Sequence, residues 1–398
     1  MTVSPKEFAG LPTARPDEIG LSPERLDRLT IAMEREIAAG KAPGVSMLIA
    51  RRGRIGYLQA LGALKTDGPA MPLDALFRIY SMTKPLTSLA AMMLVEEGRL
   101  LLNDPVAKYI PAFAEMKVGV ERGGELDLVP AKRPILVQDL LRHTSGLTYG
   151  FTGASAVQKL TLAARLYDEN RTNEQVADVI AGLPLMYQPG EVWEYSVSTD
   201  VLGRVVEVIA GAPLREVFQE RILSPLGMVD TGFYTPPAKL SRRAEAMDWR
   251  GMVGRVPAEA SITPPKFEGG GGGLFSTLAD YARFLAALSH GGALDGRRVI
   301  GPATLRFMTS DHLGAEVKRD HYLLMPGHGF GLGFAVRLAE GLAPTAGGVG
   351  EFHWGGVAGT AFFVSPRDEL FALFMVQAPE YREYFRLLFR SLVYAALV

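Results

Sequence analysis

Two strand-pair patterns stand near opposite ends of this sequence, and that separation constrains the fold more than any other feature. "GVSMLIARRGRIGYLQALG" (44–62) reads as two strands joined at Arg52–Gly53. "GTAFFVSPRDELFALFMVQ" (359–377) reads as a second hairpin with "SPRDE" at its turn. A helix precedes the first pair: Ser22 caps it, Pro23 takes its first position and Glu24 makes the first turn acidic. Leu26, Leu29, Met33 and Ile37 follow at helical spacing, and Gly40 closes the helix. A last amphipathic helix is expected over roughly 379–396. Strands at both ends with a helical, loop-rich middle predict an α/β (α+β) chain. Residues 1–105 and 270–398 would form a domain with an antiparallel sheet flanked by helices. Residues 106–269 would form an inserted, mostly helical domain with loops over the site.

The 398 residues carry a formal charge of −1, which leaves no basic field for nucleic acid or an anionic membrane. With no cysteine, disulfides, a thiol nucleophile and thiolate metal ligands are excluded. "MTVSPKEFAGLPTARPDEIG" (1–20) has no apolar run and nothing later resembles a membrane span, so the expected location is the cytoplasm. The six histidines show neither a His-x-x-x-His pair nor a nearby carboxylate pattern, so no metal site is expected. Oligomeric state is not legible here.

"RIYSMTKPLTS" (78–88) places Ser81 and Lys84 three positions apart, at the start of a helix apolar on nearly every face until Glu96. Such a helix is buried. Burial and the positive helix end disfavour a lysine's charge, which would leave Lys84 neutral enough to accept the Ser81 proton. A bare Ser-x-x-Lys equally fits a serine cap followed by an exposed lysine, and taken alone it favours that ordinary reading. It is the only such match in the chain, and no Gly-x-Ser-x-Gly elbow competes with it.

Two further stretches change the balance. In "QPGEVWEYSVSTDVLG" (188–203), Tyr195–Ser196 precedes a helix beginning near Thr199; in "GEFHWGGVAGTAFFVSP" (350–366), Trp354–Gly355–Gly356 opens onto a strand. With Ser81-x-x-Lys84, these resemble the serine β-lactamase and penicillin-binding-protein superfamily, and more closely its family VIII carboxylesterases. "LLRHTSGL" (140–147), "SPLGMVDTGF" (224–233) and "GGGGLFSTLADYARF" (270–284) look like landmarks of the same superfamily. The resemblance covers about residues 20–376. It implies a β-lactamase-like fold in which Ser81 is the nucleophile and Tyr195, next to an ammonium, is the general base or proton shuttle. The N–H groups of Ser81 and Val357 would form the oxyanion hole. Trp354, Gly355, Gly356, His353, Tyr149, Phe151 and Val197 would line the substrate pocket. Two departures bear on substrate: Val197 stands where class C β-lactamases carry an asparagine, and Trp354 where they carry a carboxylate-binding lysine. Together they predict hydrolysis of short-chain or compact esters, at least about a hundredfold over a cephalosporin. No cofactor is expected.

Other readings stay open: a β-lactamase or D-Ala-D-Ala peptidase, an acyltransferase, and a silent scaffold, which an intact Ser81/Lys84/Tyr195 set argues against. Gly269–Gly273 lacks the Gly-Lys-Ser/Thr of a phosphate loop and reads as a flexible turn into a helix capped by Thr277. Tyr195 has Thr199, not lysine, four residues on, and no dinucleotide fingerprint is present, so a short-chain dehydrogenase is rejected. His143 is read as structural. "EMKVGVERGGELDLVPAKRP" (115–134) and "TYGFTGASAVQKL" (148–160) read as irregular insertions over a cleft.

Overall fold

The computed structural model describes residues 7–168, 170–246, 261–319 and 321–398. The first six residues, part of the N-terminal stretch read above, lie outside them. So does 247–260, within the segment expected to be the inserted domain.

The two predicted hairpins meet in one sheet. Its strands are β1 (Gly44–Arg51), β2 (Arg54–Gly62), β3 (His328–Phe330), β4 (Ala335–Arg337), β5 (Phe352–Gly355), β6 (Gly359–Ser365) and β7 (Leu370–Gln377). They lie in the order β3-β4-β5-β6-β7-β1-β2, every neighbour antiparallel. The β7–β1 pairing closes the long sequence gap, with Phe374 opposite Met47 and Leu373 opposite Leu48. Arg52 and Gly53, at φ +52° and +71°, make the two-residue turn whose twist matches the strands it joins.

β1 is apolar throughout because both of its faces are covered. Val45, Met47 and Ile49 meet α1 (Pro23–Ala38) and the C-terminal helix, through Leu29, Met33, Phe385, Phe389 and Val393. Leu48 and Ala50 face the larger core on the other side. That core holds α2 (Lys84–Glu96), α3 (Ser198–Ala210) and α4 (Leu278–Ser289). The C-terminal helix, α5, spans Arg382–Ala395. In α2 every side chain from Lys84 to Met92 is buried, as its unbroken apolar pattern requires.

One expectation is corrected. The stretch 115–134 contains a regular hairpin, Lys117–Arg122 paired with Glu125–Pro130 around Gly123–Gly124. Both glycines have positive φ, +59° and +89°, and Gly-Gly between alternating Val118/Val120 and Leu126/Leu128 was the legible signal.

α1 is tied at its end by Glu36, only 3% exposed. Its carboxylate accepts from Lys41 Nζ at 2.5 Å and Arg35 Nη2 at 2.7 Å, and Lys41 lies 4.3 Å from the Tyr384 ring centre on α5. The Lys41 and Arg35 bonds pull the Glu36 pKa from 4.5 down to about 2. A depressed carboxylate stabilises the fold fully above its unfolded value, and that share is lost as pH falls through the folded value. Because Arg35 is 65% and Lys41 30% exposed, solvent screens these bonds, and Glu36→Gln should cost about 1 kcal/mol at pH 7. The gap between wild type and variant in urea unfolding should shrink as pH drops from about 4.5 towards 2. A gap independent of pH would show that the ion pair contributes nothing.

Candidate active site

The chain enters the site through a strained corner. Ile79 donates its N–H to Leu274 O at 3.0 Å, and Tyr80 then adopts φ +44° immediately before Ser81. A non-glycine residue at positive φ costs about 1–3 kcal/mol and persists only where its surroundings impose it. Here Gln377 Nε2 donates to Arg78 O at 2.9 Å, Tyr281 OH donates to Met82 O at 2.9 Å, and Arg78 lies over the Tyr80 ring at 4.8 Å. Ser81 thus sits in a single 3₁₀ turn, Tyr80–Thr83, that feeds directly into α2.

Three-residue spacing across this turn brings Lys84 Nζ to 3.4 Å from Ser81 Oγ. The same nitrogen donates to Gly271 O at 2.7 Å and to Tyr149 OH at 3.0 Å. Three oxygen acceptors around one Nζ suit an ammonium, which has three donors and no acceptor. Burial pushes the Lys84 ammonium down, while the negative charges that Tyr149, Tyr195 and Asp200 carry when ionised push it up, and the net direction is above the ordinary lysine value. The three oxygen acceptors and the upward direction favour an ammonium at Lys84 over the burial-neutralised amine that the helix pattern suggested, because those acceptors are invisible to that pattern.

Tyr195 OH donates to Ser81 Oγ at 2.6 Å. Its ring stands over Lys84 Nζ, 4.6 Å away, and Trp354 Nε1 donates to its oxygen at 3.4 Å. The tryptophan therefore bonds the phenol as well as presenting an apolar wall. His143, buried at φ +58°, packs against Tyr195 with ring centres 4.9 Å apart. Burial first and the Lys84 charge second push its imidazole well down, so it stays neutral and structural.

The glycine run does more than turn the chain. Thr87 Oγ1 donates to Gly270 O at 2.7 Å, and the Leu274 N–H donates to Thr83 Oγ1 at 3.1 Å, so the loop is stitched along α2. A Cβ on Gly271 would stand 2.7 Å from Asp200 Oδ2, and one on Gly270 2.7 Å from Thr199 O, which is why side chains are excluded here. Asp200, buried at the start of α3, accepts the Gly271 N–H at 2.8 Å. Asp200 and the Gly271 carbonyl were not legible as site groups, and no local pattern marked them. Tyr149 was expected as a wall; its bond to Lys84 was not.

Ser81, Tyr195, Asp200 and Gly271 lie on a cavity of about 740 Å³, within the range of small-molecule sites, with Lys84 buried behind them. Tyr149, Phe151, His353, Trp354 and Gly355, read from the sequence as pocket residues, line the cavity, and so does Val357, read as an oxyanion-hole residue. Phe151, 40% exposed, stacks on Tyr149 at 4.8 Å. Val197 and Gly356 do not line it. Val197 precedes α3 and is buried at 2% exposure, while Gly356 is covered by Ile79 O and Thr360 Oγ1. Among the described residues, no cluster of three or more histidine or carboxylate side chains could hold a metal ion. No helix there is long and apolar enough to cross a membrane.

Comparison with known proteins shows the family. The β-lactamase family model matches residues 30–396. Protein Rv1367c of Mycobacterium tuberculosis is 39% identical over 85% of this chain and 86% of its own. Esterase EstB of Burkholderia gladioli is 30% identical over 85% and 86%. Among solved structures, EstCE1, described as a hydrolase with promiscuous acyltransferase activity, superposes with a TM-score of 0.78 at 27% identity, covering 93% of this chain and 98% of that one. The chain belongs to the β-lactamase family, and it is a serine hydrolase.

Proposed function

We propose that the protein is a carboxylesterase that forms an acyl-enzyme on Ser81 and acts on compact, largely apolar esters. The observation that carries this is the 2.6 Å bond between Tyr195 OH and Ser81 Oγ beside the Lys84 ammonium, at the cavity. Tyr195 acts from its ionised form, its own proton having gone to solvent: as Ser81 Oγ attacks the ester carbonyl, the serine hydroxyl gives its proton to the phenolate oxygen across the same 2.6 Å contact. The Lys84 charge and the Trp354 N–H favour the negative charge that Tyr195 carries when it acts as base. The N–H groups of Ser81 and Val357 stabilise the tetrahedral oxyanion. The alcohol leaves with the proton returned by Tyr195, and water attacks the acyl-enzyme by the same route in reverse. EstB, an esterase by name, supports the reaction class. Phe151, Leu162, Phe233 and Phe267 on the cavity wall support an apolar substrate group.

If Ser81 is the covalent nucleophile, a fluorophosphonate will add a single label to the peptide that contains it. Ser81→Ala should abolish both labelling and ester turnover. A label on another serine, or an active Ala variant, would overturn the assignment.

Lys84 and Tyr195 should act as one proton-transfer unit. Lys84→Ala and Tyr195→Phe are each expected to lower kcat/KM by roughly 10²–10⁴. The double variant should lose little more than the worse single one, because groups that work together are not additive. Losses that multiply would mean two independent roles.

The substrate preference rests on Trp354 alone, since Val197 lies outside the cavity. A missing charge-assisted contact costs about 1.5–3 kcal/mol, or roughly 10- to 150-fold. Arg382 and Arg386 on the same cavity retain some attraction for a carboxylate. For a short p-nitrophenyl ester we expect kcat/KM at least about tenfold above that for a chromogenic cephalosporin. Equal or reversed values would replace the esterase reading with the β-lactamase one.

A further inference from the structure

The peptide bond between Gly356 and Val357 is held at its carbonyl end by a charge from a distant helix. The Gly356 oxygen accepts the Gly359 N–H at 2.9 Å and also Nη2 of Arg386, one turn into α5. The same Nη2 reaches Thr360 O at 3.3 Å, and Nη1 donates to Glu383 Oε1 at 3.0 Å. Among the described residues no backbone carbonyl accepts the Val357 N–H. The chain has no cis peptide among them, so that N–H points opposite to the carbonyl that Arg386 grips.

The Trp354–Gly355–Gly356 motif makes room for this contact. A Cβ on Gly355 would stand 2.6 Å from Arg386 Nη2, displacing the guanidinium from the turn. A Cβ on Gly356 would stand 2.3 Å from the Ile79 carbonyl, two residues before Ser81, and would push the turn away from the nucleophile. One glycine therefore admits the arginine, and the other admits the approach of the turn to Ser81.

We propose that Arg386 is a positioning residue for the oxyanion hole, bonding the Gly356 carbonyl so that the Gly356–Val357 peptide is polarised and its N–H is fixed towards the reacting carbonyl. The proposal rests on the reading that Ser81 is acylated and that Val357 N–H receives the oxyanion. A cation on a carbonyl oxygen draws electron density through the amide and makes the N–H of that same peptide a stronger donor. The gain is larger once the substrate oxygen carries full negative charge, so it belongs to the transition state and appears in kcat rather than KM.

The test compares wild type with Arg386→Met, Arg386→Lys and Arg386→Ala on a short p-nitrophenyl ester, together with the Kd of an alkylboronic acid, which adds to Ser81 as a tetrahedral anion. Arg386→Met should lower kcat roughly five- to fiftyfold, less than the ~10²–10³ expected for deleting a donor outright. KM should stay within about twofold, and boronate affinity should fall by the same factor as kcat. Arg386→Lys should retain more activity, and guanidinium ion at about ten-millimolar concentration should partly restore Arg386→Ala, which a purely structural role would not allow. Thermal unfolding of each variant identifies any that is misfolded; the lysine variant and the rescue then decide the matter. Unchanged kcat, a rise in KM alone, or a lower kcat with intact boronate affinity would overturn the proposal while leaving the esterase reading in place. A wild type that neither turns over esters nor binds the boronate would overturn that reading and this proposal with it.

Discussion

A buried ammonium organises this molecule. Lys84 is 1% exposed, and an unpaired charge in that position would be too costly to keep. Its acceptors come from three separated parts of the chain: Ser81 from the preceding turn, Tyr149 from the middle segment and Gly271 from the loop before α4. Satisfying one cation therefore holds Ser81, the glycine loop and the middle of the chain in register. Packing and chemistry are the same set of contacts here.

Close backbone approach is the second requirement. Gly270 and Gly271 let the loop press against α3, and Gly356 lets the β5–β6 turn reach Ile79. Strain at Tyr80 is held by hydrogen bonds from α4 and β7 and by the Arg78 guanidinium over its ring. Ser81 is thus set on a corner that the surrounding elements impose rather than on a relaxed helix start.

The cavity is electrostatically uneven. Aromatic and aliphatic side chains, among them Phe151, Leu162 and Phe267, cover one part, while Arg382, Glu383, Arg386 and Arg390 of α5 reach another. Trp354 stands between these functions: it closes the wall and bonds the Tyr195 oxygen. A lysine there would place a second cation near Lys84; the indole supplies a donor without adding that charge. This difference is local, and the fold that carries it is common to enzymes of differing substrate.

Much of the architecture was legible because it depends on local periodicity. The alternation and turn residues of 44–62 and 359–377 give the hairpins, Ser22–Pro23 starts α1, and the unbroken apolar run after Lys84 announces a buried helix. Ser81, Lys84 and Tyr195 could be singled out because their flanking residues form recognisable motifs. The hairpin 117–130 was passed over because its strands are largely exposed, so their alternation carries little burial signal, and only the Gly123–Gly124 turn marked it. The charge state of Lys84, the bond from Tyr149, the place of Asp200 behind Gly271 and the grip of Arg386 on Gly356 belong to tertiary structure alone. Sequence determines which side chains a helix or strand can present. A pKa or a hydrogen bond depends on which oxygen lies within about 3 Å, and that partner comes from a segment whose distance along the chain carries no information about its distance in space.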